Sequence, residues 1–129
     1  MNLNLLLLIM AGGALGAGMR HLLGGWLLRQ LGDGLPWGTL AVNLLGSFAA
    51  GFLMVWLEGR GQGASYLRAF LVVGMLGGLT TYSALMLECL VYARSARPGQ
   101  FVAYLGLTLV AGLALVWLGA RLAEGLRPG

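Results

Sequence analysis

A chain of 129 residues that is 59% hydrophobic and only 9% charged, with a mean hydropathy of +0.86, is too apolar for a soluble domain, in which about 25% of residues are charged. It is expected to be an integral membrane protein. Its net charge of +4 comes from 8 arginines spread among the ends of apolar segments, which argues against a nucleic-acid partner, and its single cysteine, Cys89, excludes an intrachain disulfide or a multi-cysteine metal site.

About 20 apolar residues cross the roughly 30 Å hydrocarbon layer of a bilayer. Four segments qualify, which predicts one four-helix transmembrane domain over residues 1–129 with spans at about 3–31, 37–57, 66–92 and 101–122. No basic region precedes the apolar run at Leu3, so it reads as a first span and not as a cleaved leader. That span carries Gly12, Gly13 and Gly16, a G-x-x-x-G spacing that lets helix backbones touch. It then meets Arg20 and His21 and is expected to continue as one helix to Leu31, with Gly32-Asp33-Gly34-Leu35-Pro36 as the turn. The second span, Trp37 to Leu57, has no charge and has Trp37 and Trp56 at its two water boundaries. Thr39, Asn43 and Ser47 recur along one helical face, with the small residues Gly46 and Ala50 on the same side.

After a Gly-rich charged loop, Glu58 to Ser65, the third span runs from Tyr66 to Tyr92. Its centre, Gly74 to Glu88, reads G-M-L-G-G-L-T-T-Y-S-A-L-M-L-E. Glycine costs about 1 kcal/mol against alanine inside a helix, so Gly77, Gly78, Thr80 and Thr81 predict that the helix opens at mid-membrane. A third loop, Arg94 to Gly99, has Pro98 as its stop. The fourth span, Phe101 to Leu122, sets Tyr104, Thr108 and Gly112 in one line, and the tail from Arg121 is expected to be too short to fold.

Orientation in a membrane follows the arginines and lysines of short loops. One side has Arg20, Arg29, Arg94 and Arg97, and the other has Arg60, Arg68, Arg121 and Arg127. The balance predicts a chain that inserts both ways and pairs as a dual-topology antiparallel homodimer. The alternative is a single orientation fixed by features outside that count, such as the N-terminal amine. No grouping of His, Cys and acids supplies a nucleophile with a base, so an enzyme is not expected. A channel needs less: polar groups along a path, and irregular backbone only where it faces a cavity or protein. Asn43 offers amide donors, and Ser47, Thr80, Thr81, Tyr82, Ser83, Tyr104 and Thr108 offer hydroxyls, with no acid in the polar face of the second span. Neutral donors and aromatic ring edges suit a small anion. Opened carbonyls suit a cation such as Na⁺. A charge within a span, as at Arg20, points to function.

Three segments then resemble the signatures of the Fluc (CrcB) fluoride channels: Gly12 to Arg20, Gly38 to Phe48, and Gly74 to Glu88. The resemblance implies a passive fluoride-selective channel of the cell inner membrane, built as an antiparallel dimer with two pores, that lets cytoplasmic fluoride leak out. It implies a structural Na⁺ held at the dimer centre by backbone carbonyls that map onto Gly77 and Thr80. Asn43 corresponds to a pore asparagine and Arg20 to a vestibule arginine, while Ser47, Thr81, Tyr82, Ser83, Tyr104 and Thr108 fall on the fluoride pathway. Where the family has T-T-F-S-T-F, this chain has Thr80-Thr81-Tyr82-Ser83-Ala84-Leu85. Tyr82 keeps a ring edge and Leu85 has none, which leaves Phe48, Phe52 or a partner residue as substitutes. A small four-helix multidrug-type antiporter is the alternative. That mechanism wants a carboxylate in the first span, and Glu88 in the third is the only candidate.

Overall fold

The computed structural model describes residues 2–32 and 34–127 of the chain, and their regular structure is all helical. Helix α1 spans Leu3–Leu31 and α2 spans Trp37–Trp56. The third span, Gln62–Arg94, is composite: α3 (Gln62–Arg68), a π-helical stretch (Ala69–Leu76), α4 (Gly77–Leu79) and α5 (Tyr82–Arg94). Helix α6 spans Pro98–Leu126. Four helices are long and apolar enough to cross a membrane, so this is a multi-pass membrane protein.

Helix α1 starts at a side-chain cap, with the Asn2 carboxamide oxygen accepting from the Asn4 and Leu5 amides. It runs unbroken through Arg20 and His21 and stops at Gly32, whose φ of 78° takes the chain out of the helix. Asp33, in the turn that follows, lies outside the described residues. Gly61, with φ 82°, ends the second loop early, so the third span begins at Gln62 and not at Tyr66. Pro98 does not stop a helix but opens one, at the N-terminal position where its missing N–H costs nothing. The segment after Arg121 is also folded, contrary to expectation. Ala123 is fully buried, and Arg127 donates from Nη1 to the Val55 carbonyl at 3.0 Å and from Nη2 to the Glu58 carbonyl at 2.8 Å. Its ion pair with the Glu58 carboxylate, at 3.6 Å, adds charge to the cap on the C-terminal carbonyls of α2.

Two helix crossings carry the fold. Helix α1 lies on the π-helical stretch backbone to backbone: a Cβ added to Gly12 would sit 2.8 Å from the Met75 amide nitrogen, and one added to Gly74 would sit 2.6 Å from the Ile9 carbonyl. Helix α2 meets α6 in the same manner, with Gly51 against the Val116 carbonyl and Gly119 against the Phe48 carbonyl. Between these pairs lie two small cores, one of Leu40, Leu85, Cys89, Tyr92 and Tyr104 and one of Val42, Leu76 and Leu79. Cys89 is thus a buried packing residue. Large apolar side chains such as Leu22, Val110 and Leu113 point outward, as they must where the solvent is lipid.

Candidate functional site at the interrupted third span

The third span is interrupted where its sequence turns from glycine to threonine. Its winding loosens first: through Ala69–Leu76 the backbone bonds reach five residues back, and the Gly77 amide donates to the Val72 carbonyl. Two extended residues follow, Thr80 (φ −85°, ψ 156°) and Thr81 (φ −152°, ψ 119°). An interruption frees carbonyls on the first half and amides on the second, and inside a membrane each needs a partner. Thr80 donates from both its amide (2.9 Å) and its hydroxyl (2.8 Å) to the Leu76 carbonyl. Thr81 caps α5, its Oγ1 accepting from the Ala84 amide at 3.1 Å. The Ser83 hydroxyl lies 3.4 Å from that same oxygen.

Asn43 holds the interruption from α2. Its Oδ1 accepts from the Thr81 amide at 2.8 Å, and its Nδ2 donates to the Thr81 carbonyl at 3.2 Å. A carboxamide thereby stands in for the missing helical neighbours of Thr81, and one Nδ2–H is left over. One turn along α2, the Ser47 hydroxyl bonds back to the Asn43 carbonyl at 2.7 Å. On the same face Gly46 is pressed against the Thr80 methyl group, which leaves no room for a side chain there.

These residues line an open cleft of about 410 Å³ together with Leu76, Gly77, Tyr82, Leu85 and Thr108. No acid lines it. Thr108 is buried, and among the described residues its hydroxyl has no hydrogen-bond partner, so an unused donor is held against the cleft. Tyr82 is 76% exposed at the cleft, whereas Leu85 is 5% exposed and also belongs to the core. The candidate ring substitutes are elsewhere: Phe52 stacks on Trp56 at the end of α2, and neither Phe48 nor Phe52 lines the cleft. The structure therefore brings together Asn43, Ser47, Gly77, Thr80, Thr81, Tyr82, Leu85 and Thr108.

Ser83, Tyr104 and Arg20 are placed outside that cleft. The Tyr104 hydroxyl donates to Glu88 Oε2 at 2.5 Å, and Thr39 donates to the other carboxylate oxygen at 2.6 Å. Thr39 and Glu88 line a second cavity of about 240 Å³ with Arg20 and Trp37. Arg20 itself donates from Nε to the Gly78 carbonyl at 3.1 Å. The pairing of Thr39 with Glu88 escaped sequence reasoning because the two residues lie on different spans. The one usable signal was an acid inside a span, which is expensive unless partnered.

A family profile described as "CrcB-like protein, Camphor Resistance (CrcB)" matches residues 7–120. Among curated proteins, one from Xanthomonas euvesicatoria pv. vesicatoria named "Fluoride-specific ion channel FluC" is 58% identical over 121 residues, covering 94% of this chain and 91% of its own. Proteins of the same name from Thermus thermophilus and Rhizobium meliloti are 46% and 40% identical, covering 93% and 88% of this chain and 94% and 97% of their own.

Proposed function

The chain belongs to the CrcB family, and from that premise we propose that it is a passive fluoride-selective channel of the cell inner membrane that lets cytoplasmic fluoride leak out. The observation that carries this reading is the cleft at the interrupted span. It presents an amide N–H from Asn43 and hydroxyls from Ser47, Thr80, Thr81 and Thr108 without a carboxylate. Such a lining offers a small, strongly hydrated anion donors in exchange for water while opposing cations only weakly. The unpartnered Thr108 hydroxyl supports it further, since a buried donor left open costs about 1–3 kcal/mol and is best explained by a transient guest. Tyr82 supplies the ring edge at the cleft.

The working unit in this reading is an antiparallel homodimer with two pores, inserted in both orientations. It is supported by the four-against-four arginine balance and by a cleft open on one side with Tyr82 exposed beside it. The interruption then lies at mid-membrane, where a second copy related by a two-fold axis meets it. A structural Na⁺ fits the carbonyls of Gly77 and Thr80. Among the described residues, neither carbonyl closes onto the amide four residues on, because the Thr81 and Ala84 amides go to Asn43 and to the Thr81 hydroxyl. A bound Na⁺ would neutralise those carbonyl dipoles and tie the two copies together.

The test is fluoride efflux from liposomes containing the purified dimer, with chloride as the control ion. Fluoride flux well above empty vesicles, with chloride flux at background, is expected. A folded dimer that passes no fluoride would sink the reading. The antiporter alternative makes a separate statement: proton-driven export of an organic cation that Glu88→Gln abolishes.

A further inference from the structure

Arg20 stands on a 29-residue helix as a half-buried charge with no carboxylate in ion-pair range; among the described residues, the ion pair in the chain is that of Arg127 with Glu58. A guanidinium in a span must find a partner, and here it finds backbone. Its Nε–H donates to the Gly78 carbonyl at 3.1 Å. In an unbroken α-helix that carbonyl would accept from the Tyr82 amide, four residues on, but Tyr82 begins the next helix.

The glycine crossing builds this contact. A Cβ on Gly78 would collide with the Gly13 carbonyl and lie 3.1 Å from the Ala17 amide nitrogen, so the α1 backbone passes directly over Gly78. Arg20, about one turn beyond Ala17, reaches the carbonyl from there. Asn43 holds Thr81 from the opposite element. The interruption is thus pinned on both halves, at Gly78 from α1 and at Thr81 from α2. The carbonyls of Gly77 and Thr80 are the immediate neighbours of the two pinned residues.

We propose that Arg20 is a positioning residue: its Nε–H on the Gly78 carbonyl fixes the backbone of the interruption and, through it, the direction of the Gly77 and Thr80 carbonyls. The consequence for a cation rests on the channel reading above, whereas the consequence for the backbone does not. What acts is the donor at Nε, and the positive charge is secondary. Glutamine places Nε2 the same number of bonds from Cα as arginine places Nε, so Arg20→Gln keeps the donor and removes the charge. Arg20→Met removes both, and Arg20→Lys keeps the charge while moving the donor.

The experiment uses the purified full chain and two readouts besides flux. The first is amide hydrogen exchange of a peptide covering residues 77–85, with a peptide from α6 as the internal control. The second is the NaCl dependence of the thermal unfolding midpoint, with N-methylglucamine chloride holding ionic strength constant. Arg20→Met is expected to speed exchange in 77–85 about tenfold and to raise the half-saturating Na⁺ concentration by a similar factor, with α6 unchanged. Arg20→Gln is expected to stay within about threefold of the parent on both. Unchanged exchange in Arg20→Met overturns the proposal, as does an Arg20→Gln effect equal to it. If Arg20→Met does not fold, Gln is compared with Lys: Gln nearer the parent supports the donor, and Lys nearer overturns it. A parent protein with no Na⁺ dependence removes the cation reading, and the exchange data still decide the role of Arg20.

Discussion

Single atoms explain most of what the cleft can do, and Asn43 is the clearest case. Both ends of its carboxamide are used by Thr81, so Asn43→Ala strips partners from a buried amide and a buried carbonyl, about 1–3 kcal/mol each. Fluoride efflux is expected to fall at least about tenfold, with a lower unfolding temperature. Asn43→Asp keeps the acceptor for the Thr81 amide but sets a negative charge on the cleft. It should retain more stability than alanine and still abolish flux. Thr108 tests the opposite combination. Its hydroxyl is buried and unpartnered, so Thr108→Val should leave the unfolding temperature unchanged or raised while efflux drops, because an orphan polar group is removed along with a donor. Tyr82 and Leu85 divide likewise. Tyr82 is exposed and Leu85 buried, hence Tyr82→Ile should reduce flux at unchanged thermal stability. Leu85→Ala should lower stability by about 2–5 kcal/mol, as cavity-forming core truncations do, with the smaller effect on flux per folded dimer.

At the scale of elements, the crossing of α1 over the third span is a contact between backbones. A Cβ on Gly16 would sit 2.8 Å from the Leu79 amide nitrogen, while one on Gly18 would meet nothing within 4 Å. Gly16→Ala must push the helices apart, and overpacking of this kind costs about 1–3 kcal/mol or more. It should lower the unfolding temperature and the yield of monodisperse protein, and Gly18→Ala should be silent in both. This crossing was legible in the sequence because Gly12 and Gly16 have a spacing with one structural use in membranes. The helix interruption was legible for a related reason: Gly77, Gly78, Thr80 and Thr81 are poor company for an unbroken span. The π winding of Ala69–Leu76 was not, since its residues are ordinary apolar ones and the winding answers to packing against α1. Arg127 was misread as part of an unfolded tail because the carbonyls it caps, Val55 and Glu58, belong to a different helix end. Tyr104 was assigned to the anion path by helical spacing, which cannot reveal that its hydroxyl is taken by Glu88.

For the molecule as a whole, the decisive feature is a cleft with one side open. With arginines balanced between the two ends, the parent should insert both ways, and an impermeant thiol reagent should label a cysteine placed at Ser95 from either side of sealed vesicles. Adding three lysines at residues 95–97 and removing Arg60 and Arg121 should force one orientation. Labelling then becomes one-sided and flux is lost, and co-expression with an oppositely biased copy should restore it. Flux retained by the one-sided variant alone would show that a single orientation suffices. The buried Cys89 does not interfere with the labelling.

The wide winding of Ala69–Leu76 bears on how such chains can change length. A π-turn holds a surplus residue relative to an α-helix of the same rise, so a lineage could lose one residue here without cutting the span. Everything downstream would then rotate by about 100° about the helix axis. Thr80 would leave Gly46 and Thr81 would leave Asn43. A single-residue gap at this stretch in a relative is thus a mark of a rebuilt pathway, even where every motif letter is intact.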